Sequence, residues 1–231
     1  MIALLVCGAL LLAGWRWLDE HPQHNPWAPL TIGDPPGWAT SRKLSHLRDA
    51  PAECHAFLDR SAIAFSSFAP IGEGACRRGD RTQILPNRAS GLILRPADAQ
   101  ATCAVNAGLA LWLRHGVQPA AREILGSRVV AIEHLGTHNC RRIGGGEKGA
   151  WSEHATGNAI DIAAFVLADG RRIRVLTGWK KDVPTAAFLR RARDSACDVF
   201  GTVLSPDYNA AHADHFHLDQ AGSGRGWRAC R

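Results

Sequence analysis

The chain has no Cys-x-x-Cys pair, no internal repeat, no low-complexity tract, no aromatic-and-basic repeat and only one methionine. Without closely spaced cysteines, neither a cysteine-based zinc finger nor a thioredoxin-type redox motif is available. Gly144, Gly145 and Gly146 are not followed by the lysine and hydroxyl residue that a phosphate loop needs, so they read as a mobile stretch beside a binding cleft. The net charge is +6, yet the arginines are scattered, with short clusters only at Arg171, Arg172, Arg174 and at Arg190, Arg191, Arg193. That distribution does not predict a nucleic-acid partner; it reads as a mildly basic surface suited to an acidic polymer. The N-terminus also lacks two things. No basic segment precedes its apolar run, and no small-x-small cleavage site follows it, so an uncleaved anchor is favoured over a removable signal.

With 46% apolar and 21% charged content over 231 residues, the chain can bury a substantial core. Three parts are expected: residues 1–18 as a membrane anchor or signal, residues 19–39 as a proline-rich tether, and residues 40–231 as one domain. The apolar run from Ile2 to Trp15 is shorter than the roughly 20 residues of a comfortable span, and Trp15 and Trp17 suit an interfacial belt. Pro22, Pro26, Pro29, Pro35 and Pro36 deny the tether both helix and central strand. Six of the seven cysteines lie beyond it: Cys54, Cys76, Cys103, Cys140, Cys197 and Cys230. An even, widely spaced set reads as disulfides and so predicts an oxidising compartment such as the periplasm. Sequence leaves all connectivities open; nearest-neighbour pairing (Cys54 with Cys76, Cys103 with Cys140, Cys197 with Cys230) is the simplest expectation.

Within the domain, two short helices are predicted after residue 40, the second with Pro51 in its first turn and Cys54, Phe57 and Leu58 on one face. Extended segments follow at residues 62–71 and 91–94. A longer helix is expected to begin near Pro96, bury Val105, Leu109 and Trp112, and stop at Gly116; a short one follows from Pro119 to Leu125. Strands are predicted at residues 128–135 and 158–167, the latter returning through an Asp169-Gly170 hairpin into residues 172–176. Pro184 opens a helix burying Phe188, Ala192, Ala196 and Val199, and extended pieces at 201–204 and 214–219 close the chain. The predicted class is α+β, with an antiparallel sheet carrying a metal site and helices packed on the opposite face.

The chemistry is concentrated in two stretches, Ser152-Glu153-His154-Ala155-Thr156-Gly157-Asn158-Ala159-Ile160-Asp161 and His212-Ala213-Asp214-His215-Phe216-His217-Leu218-Asp219. Period-two geometry puts Asp161 on one strand face with Ala159 and Ala163, and puts His215, His217 and Asp219 on one face of the last strand. If these strands are antiparallel neighbours, His154, Asp161 and His217 can supply the three protein ligands of a catalytic zinc, leaving a fourth position for water. Gly157 lets the backbone turn sharply between the first two ligands. His215 is the candidate general base, with Asp214 a competitor that alternation points the other way. His212 is placed to contact substrate or an oxyanion, and Asp219 and Glu153 to orient an imidazole. Arg141 or Arg142 suits bidentate pairing with a substrate carboxylate, although a solvated loop charge is the blander alternative.

Ser152-x-His154-x-x-Gly157-x-Ala159-x-Asp161 with His215-x-His217 resembles the signature of the zinc peptidases grouped with lysostaphin, D-alanyl-D-alanine peptidases and the hedgehog signalling domain. His212 also resembles the additional histidine of the penicillin-insensitive murein endopeptidases. The chain is more closely similar to the bacterial extensin-like C-terminal domain family, through Pro29-Leu30, residues 40–44, Cys140-Arg141 and the Asp-His-Phe-His-Leu-Asp ending. The resemblance implies zinc ligands at His154, Asp161 and His217, a base at His215 and hydrolysis of peptide bonds in peptidoglycan; Arg141 and Ser152 are the candidate substrate contacts. The carboxypeptidase branch carries glutamate three residues before the last ligand, where this chain has the shorter Asp214. That departure favours a cross-link endopeptidase over a D,D-carboxypeptidase. A non-catalytic, zinc-containing wall-binding module is the reading from another class. A non-haem iron oxygenase fits poorly, because export is implied and the usual His-x-Asp spacing is absent.

Overall fold

The structure is a computed structural model in which residues 1–86, 91–181, 183–221 and 229–231 are described. The helices are α1 (Ile2–Glu20), α2 (Thr40–Asp49), α3 (Pro51–Arg60), α4 (Cys103–Trp112), α5 (Gln118–Leu125), α6 (Val175–Gly178) and α7 (Thr185–Ala196). The strands are β1 (Phe65–Ser67), β2 (Thr82–Ile84), β3 (Leu94–Arg95), β4 (Gln100–Ala101), β5 (Val129–Gly136), β6 (Ala159–Leu167), β7 (Arg172–Arg174), β8 (Thr202–Leu204), β9 (Phe216–Asp219) and β10 (Ala229–Cys230). Strands β1, β2 and β4 form a small antiparallel sheet, and a larger one runs β10-β8-β9-β6-β5-β3 with β7 also on β6. The larger sheet is mixed rather than wholly antiparallel, because β3 joins β5 and β10 joins β8 in parallel. Its centre is antiparallel: the first half of β6 pairs with β9 and the second half with β7.

Strict alternation along β6 would put Phe165 and Leu167 on the face of Asp161. A register shift opposite Glu133 and His134 inserts an extra residue near Ala163. Ile160 and Ile162 before it, and Phe165 and Leu167 after it, therefore all join the core. Phe165 meets Trp112 of α4, Phe188 of α7 and Phe216 of β9, so this face of the sheet is closed by helices. Helix α4 is buried on every side, as its nearly all-apolar sequence demands. Trp112 satisfies its indole N–H on the Ala192 carbonyl at 2.8 Å.

Several boundaries differ from the sequence reading. Helix α4 begins at Cys103 rather than near Pro96, because Thr102 caps it, its hydroxyl accepting from the Val105 N–H, while Gln100 and Ala101 are drawn into β4. Gly116 does not stop the helix. The chain widens into a π turn over Leu113–Val117 and continues into α5, where Pro119 has no N–H to offer the carbonyl four residues back. Gly116 instead allows close approach: a Cβ there would lie 2.2 Å from Ser195 Oγ on α7. The return strand ends at Arg174 and becomes α6, and the last site strand starts at Phe216.

The disulfides are Cys54–Cys103, Cys76–Cys140 and Cys197–Cys230, with Cys7 free and exposed. The first two nearest-neighbour pairs are thus corrected. The bond from Cys54 ties α3 to the start of α4, and the bond from Cys76 ties a one-turn 3-10 helix to the loop after β5. Helix α1 is long and apolar enough to cross a membrane and buries none of its residues, a composition shared by anchors and signal sequences. The proline-rich segment after it lies against the domain. Leu30 and Ile32 pack on the core, and Lys43 Nζ donates to the Pro22 carbonyl at 2.7 Å.

Candidate metal centre

The first histidine of the site is set by local chemistry. Ser152 caps a one-turn 3-10 helix, Glu153–Thr156, its hydroxyl accepting from the His154 N–H at 3.3 Å. Gly157 ends that turn in the left-handed region, at φ +75°, and directs the chain into β6. Asn158 then locks the junction: its amide donates to Glu153 Oε2 at 2.6 Å and its carbonyl oxygen accepts from the Thr102 hydroxyl at 2.9 Å. Glu153 therefore braces Asn158 rather than an imidazole.

Asp161 and His217 stand directly opposite each other in the antiparallel β6–β9 pair. His154 Nε2 lies 3.2 Å from Asp161 Oδ1 and 3.1 Å from His217 Nδ1, and His217 Nδ1 lies 3.1 Å from Asp161 Oδ1. These atoms form a nearly equilateral triangle. The outer nitrogen of each imidazole is already engaged: His154 Nδ1 donates to the Thr137 carbonyl at 3.2 Å, and His217 Nε2 donates to Asp219 Oδ2 at 3.0 Å. With those tautomers, both inward nitrogens carry lone pairs and converge with a carboxylate oxygen, an arrangement that wants a cation. Zinc bonds of about 2.0–2.1 Å at tetrahedral angles put donor atoms roughly 3.3 Å apart, so the two-nitrogen, one-oxygen set fits zinc.

In the metal-free protein the same crowding shows in the acidities. Burial works against the Asp161 carboxylate, but hydrogen bonds with His154 and His217 overcome it and hold the group well below the usual range. Burial also disfavours charge on His217, yet its bonds to Asp161 and Asp219 raise it to about 9.

His215 sits beside the triangle, its Nε2 3.5 Å from Asp161 Oδ1. Asp214 Oδ1 accepts from His215 Nδ1–H at 2.8 Å, leaving Nε2 as the basic nitrogen. The side chain of Asp214 is half exposed and acts through His215 rather than in its place. The His212 ring is 5.2 Å from that of His215 and 6.0 Å from that of His217. Burial, then the neighbouring His215 and His217, push His212 down to about 4, so it is a neutral imidazole at neutral pH. Arg141 is exposed and close enough to contribute to that depression, and its side chain makes no hydrogen bond or ion pair among the described residues. Arg142 is committed elsewhere: its guanidinium stacks 4.4 Å over Trp151 and bonds the Gly149 carbonyl. Of the two arginines, Arg141 is the one free to meet a ligand. Ser152 is buried, and its position fits capping better than substrate contact.

Sequence reasoning missed Thr137 and His138. Thr137 acts through its backbone carbonyl, which no residue pattern reveals. His138 stands beside the site with much of its surface open, and partial burial of its ring, followed by the positive charge of Arg78, holds it below the usual histidine range; its residue type was the available signal.

A family model described as extensin-like protein C-terminus matches residues 52–231. No curated protein and no solved structure matches the chain.

Proposed function

The chain belongs to the extensin-like protein C-terminus family, and we propose that it is a zinc-dependent hydrolase of peptide bonds in peptidoglycan, acting as a cross-link endopeptidase. The observation that carries this reading is the convergence of His154 Nε2, Asp161 Oδ1 and His217 Nδ1 beside a histidine whose basic nitrogen is aimed by Asp214. The substrate class comes from the resemblance of the two histidine motifs to the zinc peptidases of cell walls. It agrees with the three disulfides and the apolar N-terminal helix, which suit a domain on the periplasmic side of the inner membrane, anchored or released.

Zinc held by the three ligands would supply Lewis acidity, polarising the scissile carbonyl and drawing water toward deprotonation near neutral pH. His215 Nε2 takes the proton from the attacking water, with Asp214 stabilising the imidazolium that results. The same proton then goes to the leaving amine as the C–N bond breaks, giving a carboxylate and a free amino group. His212, neutral and between Tyr208 and His215, lines the approach, and Arg141 offers its guanidinium to a carboxylate of the acidic stem peptide. A wall-binding module would not need the Asp214–His215 pair, and so the catalytic reading is preferred.

The test is digestion of purified peptidoglycan by metal-loaded, oxidised protein, with and without a chelator, followed by muropeptide chromatography. Chelator-sensitive loss of cross-linked dimers, restored by zinc, is expected. Release of terminal alanine alone would indicate a D,D-carboxypeptidase, and binding without any cleavage would replace the enzyme with a wall-binding module.

A further inference from the structure

Arg78 is buried, at 7% exposure, in a part of the chain that neither histidine motif includes. Its Nε is buried without a hydrogen-bond partner, and among the described residues no carboxylate pairs with it, while Arg81 adds a like charge nearby. Burying a cation without a counter-ion costs stability, so the guanidinium needs compensating contacts. The surroundings supply them. Arg78 Nη2 donates to the Gln100 carbonyl, and the Thr137 hydroxyl donates to the same oxygen at 2.8 Å. The Thr137 carbonyl in turn receives the His154 Nδ1–H. The guanidinium also lies against Gly157, where a Cβ would meet Arg78 Nε at 3.1 Å and Nη2 at 3.4 Å. It thus reaches both ends of the support of His154: directly, the glycine that ends its helical turn, and, through the shared Gln100 carbonyl, the threonine whose own carbonyl orients the ring.

We propose that Arg78 is a positioning residue for the metal centre, acting through the Gln100 carbonyl, Thr137 and Gly157 to hold the His154 imidazole with Nε2 facing Asp161 and His217. The inference rests on the zinc reading of that triangle. The backbone of Arg78 is pinned independently of its side chain, by reciprocal hydrogen bonds with Ile71 and by the nearby Cys76–Cys140 bond. A side-chain replacement therefore need not unfold the turn. An unpaired buried charge and a positioning role together make an unusual pair of demands: removing the guanidinium should weaken metal binding without weakening the metal-free fold.

The experiment uses the full chain in detergent, stripped of metal and titrated with zinc against a competing chelator, alongside thermal unfolding of the metal-free form. Arg78→Met and Thr137→Val are expected to weaken zinc binding by about 10–100-fold, the range for loss of a partner that orients a ligand. Thr137→Ser, which keeps the hydroxyl, should bind as the unaltered chain does, and metal-free Arg78→Met should melt no lower than the unaltered protein. Wild-type zinc affinity in Arg78→Met overturns the inference. So does a fall in metal-free stability that accounts for the affinity loss, or a Thr137→Ser variant as impaired as Thr137→Val. Absence of zinc binding by the unaltered chain overturns the metal centre itself, a result distinguishable from all of these.

Discussion

At the scale of single residues, the site is a set of side chains whose freedom has been removed one hydrogen bond at a time. His217 is held by Asp219, His154 by the Thr137 carbonyl and His215 by Asp214, so each imidazole has one nitrogen spoken for and one available. This separates ligand from base and makes the roles testable. Under the proposed mechanism, His215→Ala keeps its zinc but loses peptidoglycan hydrolysis by roughly 10²–10⁴-fold, whereas His217→Ala loses the metal as well. Metal analysis and muropeptide release on the same preparations check both; a His215→Ala protein with near-normal hydrolysis would remove that residue from the mechanism. The ligand and base candidates were legible in the sequence because histidine and aspartate declare their chemistry by type. Thr137 was not, since its carbonyl is a group that every residue possesses and its hydroxyl finds the distant Gln100 carbonyl only in the fold.

At the scale of elements, the β6–β9 pair brings Asp161 opposite His217, and helices α4 and α7 close the core face of β6. Gly116 of the π turn packs closely on Ser195 of α7, where a Cβ on the glycine would fall 2.2 Å from the hydroxyl oxygen. Gly116→Ala is expected to destabilise the protein by about 1–3 kcal/mol through overpacking. Ser195→Gly costs some helix propensity itself but makes room for the added methyl group. Urea unfolding of both single variants and the double variant should show the double less destabilised than the sum of the singles. Strict additivity would mean the helices relax apart without strain. A glycine late in a helical pattern reads as a stop because close approach and termination use the same residue. Only the position of α7 distinguishes them.

At the scale of the whole molecule, the domain is closed by long-range ties. The Cys54–Cys103 and Cys76–Cys140 bonds interleave along the chain, the second joining the turn that carries Arg78 to the loop that leads into Ser152. The segment between α1 and α2 contributes too, through Leu30 and Ile32 on the core and the Ile32 carbonyl bonded to His115 Nε2 at 2.9 Å. A chain beginning at residue 21 is therefore expected to be more stable than one beginning at residue 40, by about 1–3 kcal/mol for burial of two aliphatic side chains. Chemical denaturation of the two soluble forms measures the difference. Equal stabilities would show that the segment is a free spacer in solution.

The amino-acid order alone was enough to predict the mixed helix and strand class, the hairpin at Asp169-Gly170, oxidised cysteines and the two histidine stretches, because period, turn chemistry and side-chain type are local properties. Tertiary structure decided what depends on distant parts of the chain meeting. It chose which cysteines pair, placed a bulge in β6 so that Phe165 and Leu167 face the core, and gave Gly116 its neighbour. It also brought Arg78 and Thr137 to one carbonyl behind His154. The physical reason is the same in each case: a contact between residues far apart in sequence depends on how the elements pack, and packing is settled by the chain as a whole.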